Sequence, residues 1–195
     1  MIKNIIMDMG NVLLDFNPNV ILDKVCDTPE EKCIIDKELF HGKEWIQGDL
    51  GEIQNAQRFD GVSKRVPEEL HAKLRECVDE WDICLVPVKG AKEFLELAKS
   101  KGYNIYVLSN ACSKFHEYFP KHYDVTFFDG IVVSCDIHVI KPDIRIYEYI
   151  LEKYQLNPQE CLFIDDRPEN VEGARAANID AVVFENNYEE ISKRI

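Results

Sequence analysis

The stretch "IIMDMGNVLLDF", Ile5 to Phe16, is an apolar run that stops at a carboxylate. Asn4–Met7 is too short for a helix and rich in β-branched residues, so it reads as a buried strand that stops at Asp8. Gly10 and Asn11 follow, and the next carboxylate comes only at Asp15. A buried strand that ends on an unpaired acid needs a reason, and an acid that does chemistry needs a partner for the proton.

Three more runs share this character, at 104–108, 161–164 and 181–184, and "GIVVS" at 130–134 adds a fifth candidate strand. Helical spacing separates them. Ala91, Phe94, Leu95 and Ala98 fall at i, i+3, i+4 and i+7, with Gly102 as the stop. Tyr147, Ile150, Leu151 and Tyr154 repeat the spacing after Pro142, which suits a first helical turn, and "RPENVEGARAANI" fills the gap between the last two strands. The alternation predicts an α/β fold, a Rossmann-like parallel sheet sandwiched by helices through right-handed crossovers.

Residues 17–84 interrupt it. "NPNVILDKVCD", "TPEEKCIIDKELFHG", "GEIQNAQRF" and "PEELHAKLRECVDEW" all read as helices, with Pro29-Glu30-Glu31 and Pro67-Glu68-Glu69 at two N-termini. The expectation is a helical cap over 17–84, inserted into a discontinuous catalytic core of 1–16 and 85–195.

With 46% apolar and 30% charged residues the composition is that of a globular chain, and the formal charge of −13 disfavours nucleic acid and anionic membranes as partners. The nearest basic cluster, Lys64-Arg65, is only a pair. The seven cysteines show no CxxC spacing, and no apolar run approaches the ~20 residues that span a bilayer, so a cytoplasmic protein with reduced thiols is expected.

In a parallel sheet, ligands bind beyond the carboxyl ends of the strands. Four such ends carry polar residues: Asp8, Ser109-Asn110, Lys141 and Asp165-Asp166. Each alone is ordinary capping or turn chemistry. Brought to one crevice, the three acids would repel, and hard carboxylate oxygens favour Mg²⁺ as the cation that reconciles them. A metal there makes sense if it also holds phosphate oxygens, with Lys141, Ser109 and Asn110 supplying positive charge and donors. Asp8 could then attack phosphorus and form an aspartyl phosphate.

The order and spacing of "IIMDMGNVL", "VLSNA", "VIKPDIRIY" and "FIDDRPENVEGARAANI" resemble the haloacid dehalogenase-like hydrolase superfamily, in the phosphatase subgroup with an inserted helical cap. The resemblance covers essentially the whole chain. It implies Asp8 as nucleophile and Mg²⁺ ligand, Ser109 and Asn110 as phosphoryl contacts, and Lys141 as charge stabiliser. It also implies Asp166 as direct metal ligand, Asp165 as direct or water-bridged ligand, and a small phosphorylated metabolite as substrate. Arg167 and Asn170 would order the loop and start the next helix.

The chain departs from the family at Gly10, where most phosphatases of this kind carry a second Asp as general acid and base. The metal contact made there through the backbone carbonyl survives, because every residue has that oxygen. The proton role does not, and it is typically worth ~10²–10⁴-fold in rate. Three readings follow: Asp15 swings in as a substitute, the leaving group needs little protonation, or catalysis is weak. Some members that resemble this chain, with "DLGNV"-like openings, are phosphatases of sugar phosphates including glucose 1-phosphate, whose anomeric oxygen needs little protonation to leave. The rival readings are a 2-haloacid dehalogenase, which has no use for the paired acids, a phosphomutase, and a non-catalytic phosphometabolite-binding protein. Cys112 and His116 could border the site, and Trp45 with Phe16 or Phe40 could roof it.

Overall fold

The computed structural model describes residues 1–195. The path begins with β1 (Asn4–Met7), buried along its length, and reaches β2 (Leu14–Phe16) after a tight turn in which Asn11 takes φ +54°. Then follow α1 (Asn19–Val25), α2 (Pro29–Ile35) widening into a π-type turn over Asp36–Phe40, α3 (Lys43–Asp49), α4 (Asn55–Val62) and α5 (His71–Glu80). The chain returns through β3 (Leu85–Pro87) and runs α6 (Ala91–Ser100), β4 (Asn104–Ser109), α7 (Phe115–His122), β5 (Gly130–Val133) and α8 (Ser134–Ile137). It ends with α9 (Ile144–Tyr154), β6 (Cys161–Asp165), α10 (Pro168–Ala176), β7 (Asp180–Val183) and α11 (Tyr188–Ser192). No helix is long and apolar enough to cross a membrane.

Five strands form a parallel sheet in the order β5-β4-β1-β6-β7. Alternation divides β1 between two cores. Ile5 and Met7 share one face with Ile105, Val107, Leu162 and Ile164, covered by apolar residues of α6 and α7 such as Phe94, Leu95 and Phe119. Ile6 shares the other with Tyr106 and Phe163, covered by Ile146, Tyr147 and Ile150 of α9 and Val171 and Ala174 of α10. Both faces being covered explains why the strands read as continuous apolar runs.

The register decides where the chemistry goes. Met7 lies opposite Val107 on one side and Ile164 on the other, so the next residues, Asp8, Leu108 and Asp165, come level at one edge. The chain leaves β1 toward β4 and leaves β6 toward β7, so the sheet switches direction between β1 and β6, where a crevice opens.

Some elements differ from their sequence reading. β4 and β6 each extend one residue further, β5 stops at Val133, and β7 begins one residue earlier at Asp180 and ends at Val183. β2 and β3 were not anticipated. They form an antiparallel ribbon, Leu14 opposite Pro87 and Phe16 opposite Leu85, through which both crossings into the helical segment pass. The helix expected over 51–59 begins only at Asn55. Gly51 takes φ +71°, which breaks any helix there. Gln54 and Gln57 then exchange side-chain and backbone bonds that start α4 afresh. Lys43–Asp49, left unassigned by periodicity, is helical as α3, with Glu44 turned inward to meet Arg65 at 2.7 Å. Asp143 rather than Pro142 opens α9, its carboxylate accepting the Arg145 N–H at 3.0 Å.

Candidate active site

Asp8 continues the β1 ladder through its own N–H, which donates to the Ile164 carbonyl at 2.9 Å. The residue is buried, 7% exposed. The Lys141 ammonium donates to Asp8 Oδ1 at 2.7 Å and the Met9 N–H donates to the same oxygen at 2.7 Å, which leaves Oδ2 without a protein partner. Lys141 Nζ also donates to Asp165 Oδ2 at 2.7 Å and to the Leu108 carbonyl at 2.8 Å. All three of its N–H bonds are thereby directed. Burial works against the ammonium, but Asp165 and Asp8 outweigh it and its pKa rises. For Asp8 burial dominates, and with Asp165 and Asp166 nearby it overrides the pull of Lys141 and pushes the carboxyl up to about 7.

The two adjacent acids are held differently. Asp165 is fully buried and saturated: Oδ1 accepts from the Arg167 N–H (2.9 Å) and Asn170 Nδ2 (3.0 Å), and Oδ2 from Lys141 and Asn170. Asp166 lines the open cavity, and its single protein hydrogen bond comes from Asn11 Nδ2 at 2.9 Å. Burial raises the Asp166 carboxyl, against the Asn11 bond.

Carboxylate oxygens of Asp8, Asp165 and Asp166 lie within 4.8 Å of one another. Two ligand oxygens of one Mg²⁺ ion, each ~2.1 Å from it, span a similar distance. Three acids answered by one lysine leave net negative charge in a desolvated pocket, and a hard divalent cation is what this donor set fits. Asp8 Oδ2 and Asp166 are free to ligate directly, while the bonds already made to Asp165 place it one step back. Gly10 lines the same cavity.

Ser109 and Asn110 end β4 beside this cluster. Ser109 Oγ is buried with no hydrogen-bond partner, an orphaned hydroxyl of the kind that a bound anion satisfies. The Asn110 amide clamps the lysine loop, Nδ2 donating to the Lys141 carbonyl at 3.0 Å and Oδ1 accepting the Lys141 N–H at 2.8 Å.

Above the acids lies a cavity of about 720 Å³, within the range of ordinary small-molecule sites. Its walls are aromatic. Phe16 lies 5.6 Å from Trp45 and 6.0 Å from Trp81, and Trp81 lies 5.4 Å from Tyr118, all ring to ring. Phe40, Cys112 and Asp49 also line it. Asp15 does not take part: it is exposed on β2 in register with Val86. His116 is likewise exposed, against Asp136 at 3.1 Å. Asn11, Asp49 and Tyr118 were missed by sequence reasoning. Only Asn11 left a trace, as an Asn directly after Gly10 where a turn was due.

A family model for haloacid dehalogenase-like hydrolases matches residues 2–178. The sesquiterpene phosphatase astK of Aspergillus oryzae is 29% identical over 91% of this chain and 87% of its own length. Several longer relatives match over about a third of their length or less. Among solved structures, a haloacid dehalogenase family enzyme of Bacteroides thetaiotaomicron, bt-2542, in complex with magnesium and inorganic phosphate, superposes with a TM-score of 0.69. The identity is 22%, over 96% of both chains. The L-2-haloacid dehalogenase of Xanthobacter autotrophicus superposes at 0.67 with 18% identity, over 100% of this chain and 82% of that one. These two likenesses show a shared fold.

Proposed function

This chain belongs to the haloacid dehalogenase-like hydrolase family, and from that membership we propose that it is a Mg²⁺-dependent phosphatase of small phosphorylated metabolites, with Asp8 as nucleophile. The observation that carries this reading is the division of labour around Lys141, which ties up one oxygen of Asp8 while Asp166 and Asp8 Oδ2 stay open. Carbon–halogen displacement needs no such acid pair, because halide leaves without charge neutralisation, and this favours the phosphatase over the dehalogenase reading.

In the proposed mechanism residues 17–84 act as a cap that closes the cavity over the core of 1–16 and 85–195. Asp8, Asp166 and the Gly10 carbonyl would hold Mg²⁺, with Asp165 oriented behind them, and a bound ion would supply neutralisation of phosphate charge. Lys141 fixes Asp8 Oδ1 and offsets negative charge on the phosphoryl group. The Ser109 hydroxyl and the Asn110 main chain donate to phosphoryl oxygens. Asp8 Oδ2 attacks phosphorus, the leaving group departs, and water then cleaves the aspartyl phosphate. The aromatic walls exclude bulk water from that ester.

The same walls suit a leaving group with an apolar body, and the sesquiterpene phosphatase relative supports that choice. A sugar 1-phosphate is the second reading, favoured by Gly10, since an anomeric oxygen needs less protonation. The test is a panel of both ester classes with Mg²⁺, with EDTA, and with Asp8→Asn. Phosphate release that requires both the metal and Asp8 is expected. Release that persists in EDTA, or dechlorination of 2-chloropropionate without phosphate release, would defeat the reading.

A further inference from the structure

One carboxylate in the cavity has no task in the mechanism above. Asp49 closes α3 and lines the same cavity as Asp8, Gly10 and Lys141. Its side chain makes no hydrogen bond or ion pair within the protein; the Arg58 charge is what acts on it. Its main chain is fastened across the seam to the core. Ser134 Oγ, beyond the end of β5, donates to the Asp49 carbonyl at 2.5 Å and accepts the Ala111 N–H, beyond the end of β4, at 3.0 Å. One residue on, the Leu50 carbonyl meets His138 Nδ1 at 2.7 Å. These bonds hold Asp49 where the cap meets the strand ends.

The neighbours that face this carboxylate are few. Arg58 comes from α4 and lies over Trp45 at 4.7 Å; Tyr118 comes from α7, and Cys135 from α8. The charges of both Asp49 and Asp8 act on the Tyr118 phenol, and all three residues line the same cavity. Burial pushes the Asp49 carboxyl up to about 7 despite Arg58, so a proton is at hand near neutrality. Across the cavity, a Cβ at Gly10 would meet nothing within 4 Å. Space for an acid there is open, and no side chain occupies it.

We propose that Asp49 delivers the leaving-group proton that Gly10 cannot. The proposal rests on the phosphatase reading. As Asp8 Oδ2 bonds to phosphorus and the phosphorus–oxygen ester bond breaks, the departing oxygen takes the proton of the Asp49 carboxylic acid and leaves as the alcohol. The Asp49 carboxylate then takes a proton from the water that attacks the aspartyl phosphate. Hydroxide bonds to phosphorus, the bond to Asp8 breaks, and hydrogen phosphate departs with both side chains restored.

The test compares first-turnover rates, by rapid quench at saturating Mg²⁺, on p-nitrophenyl phosphate and on hexyl phosphate. The phenolate leaves unaided; the alkoxide does not. Asp49→Asn is expected to lower the hexyl-to-aryl rate ratio about 10²-fold or more, and to remove the fall of the wild-type hexyl rate above neutral pH. Adding Gly10→Asp to that variant should recover the ratio at least in part, using the open space at Gly10. A ratio unchanged by Asp49→Asn, with both esters slowed equally or neither slowed, would overturn the proposal and leave Asp49 a structural or binding residue. Wild-type protein that releases neither alcohol in an Asp8-dependent way would overturn the phosphatase reading, and this proposal with it.

Discussion

Asp165 and Asp166 are neighbours in the chain under different constraints. Asp165 accepts every bond its oxygens can take from Lys141, Asn170 and the Arg167 N–H, so it orients the lysine. Asp166 keeps ligand capacity and is steered by Asn11 alone, whose Oδ1 in turn accepts the Phe16 N–H at 3.2 Å. Asn11 thus links Asp166, the proposed metal ligand, to the ribbon that leads into residues 17–84, the proposed cap. Asn11→Gly keeps the φ of +54° accessible while deleting the amide. It should weaken Mg²⁺ binding roughly tenfold or more, as loss of an orienting partner does, measured by calorimetric titration. Unchanged affinity would show that Asp166 needs no guide. Asp8, Lys141, Asp165 and Asp166 were legible because apolar runs stop on them or a short polar loop presents them. Asn11 and Asp49 were not, since an Asn after Gly reads as a turn and an Asp on a helix reads as solvated. Their roles come from what folding places opposite them.

At the scale of elements, α10 and the lysine loop are packed closely enough to depend on one missing methyl. A Cβ at Gly173 would stand 2.7 Å from the Pro142 carbonyl and 2.9 Å from the Tyr147 ring. Tyr147 is itself pinned, its hydroxyl donating to the Asn170 carbonyl at 2.7 Å. Gly173→Ala should therefore push the loop that carries Lys141 away from Asp165, despite the better helix propensity of alanine. We expect roughly 1–3 kcal/mol of destabilisation by urea unfolding, together with loss of phosphatase turnover. A variant as stable as wild type would mean that the loop yields freely. The sheet and its covering helices could be read from periodicity, which is strong over long amphipathic runs. The ribbon of β2 and β3 escaped because three residues cannot show a period. The start of α4 escaped because Gly51 and the Gln54–Gln57 cap break a stretch that otherwise looks helical.

For the whole molecule, stability against pH should carry the signature of Asp49. The folded chain keeps a proton on Asp49 up to about 7, whereas the unfolded chain releases it near 3.8. The folded state then binds more protons across that window, so Asp49 lowers stability as pH rises from the unfolded value toward the folded one. Asp49→Asn removes this effect. Its stability relative to wild type should grow between about pH 4 and 7 and level off above, in thermal melts without metal. A constant difference would show that Asp49 titrates normally. At the same scale, one parallel register draws residues from opposite ends of the chain together, Asp8 after β1 and Asp165-Asp166 at the end of β6, and the proposed mechanism has the first accept a phosphoryl group. Borohydride reduction of protein quenched during turnover, followed by peptide mass analysis, tests this most directly. An acyl phosphate on Asp8 predicts homoserine at position 8, formed only with both substrate and Mg²⁺ and absent from Asp8→Asn. Homoserine at another carboxylate, or none while phosphate is being released, would contradict it.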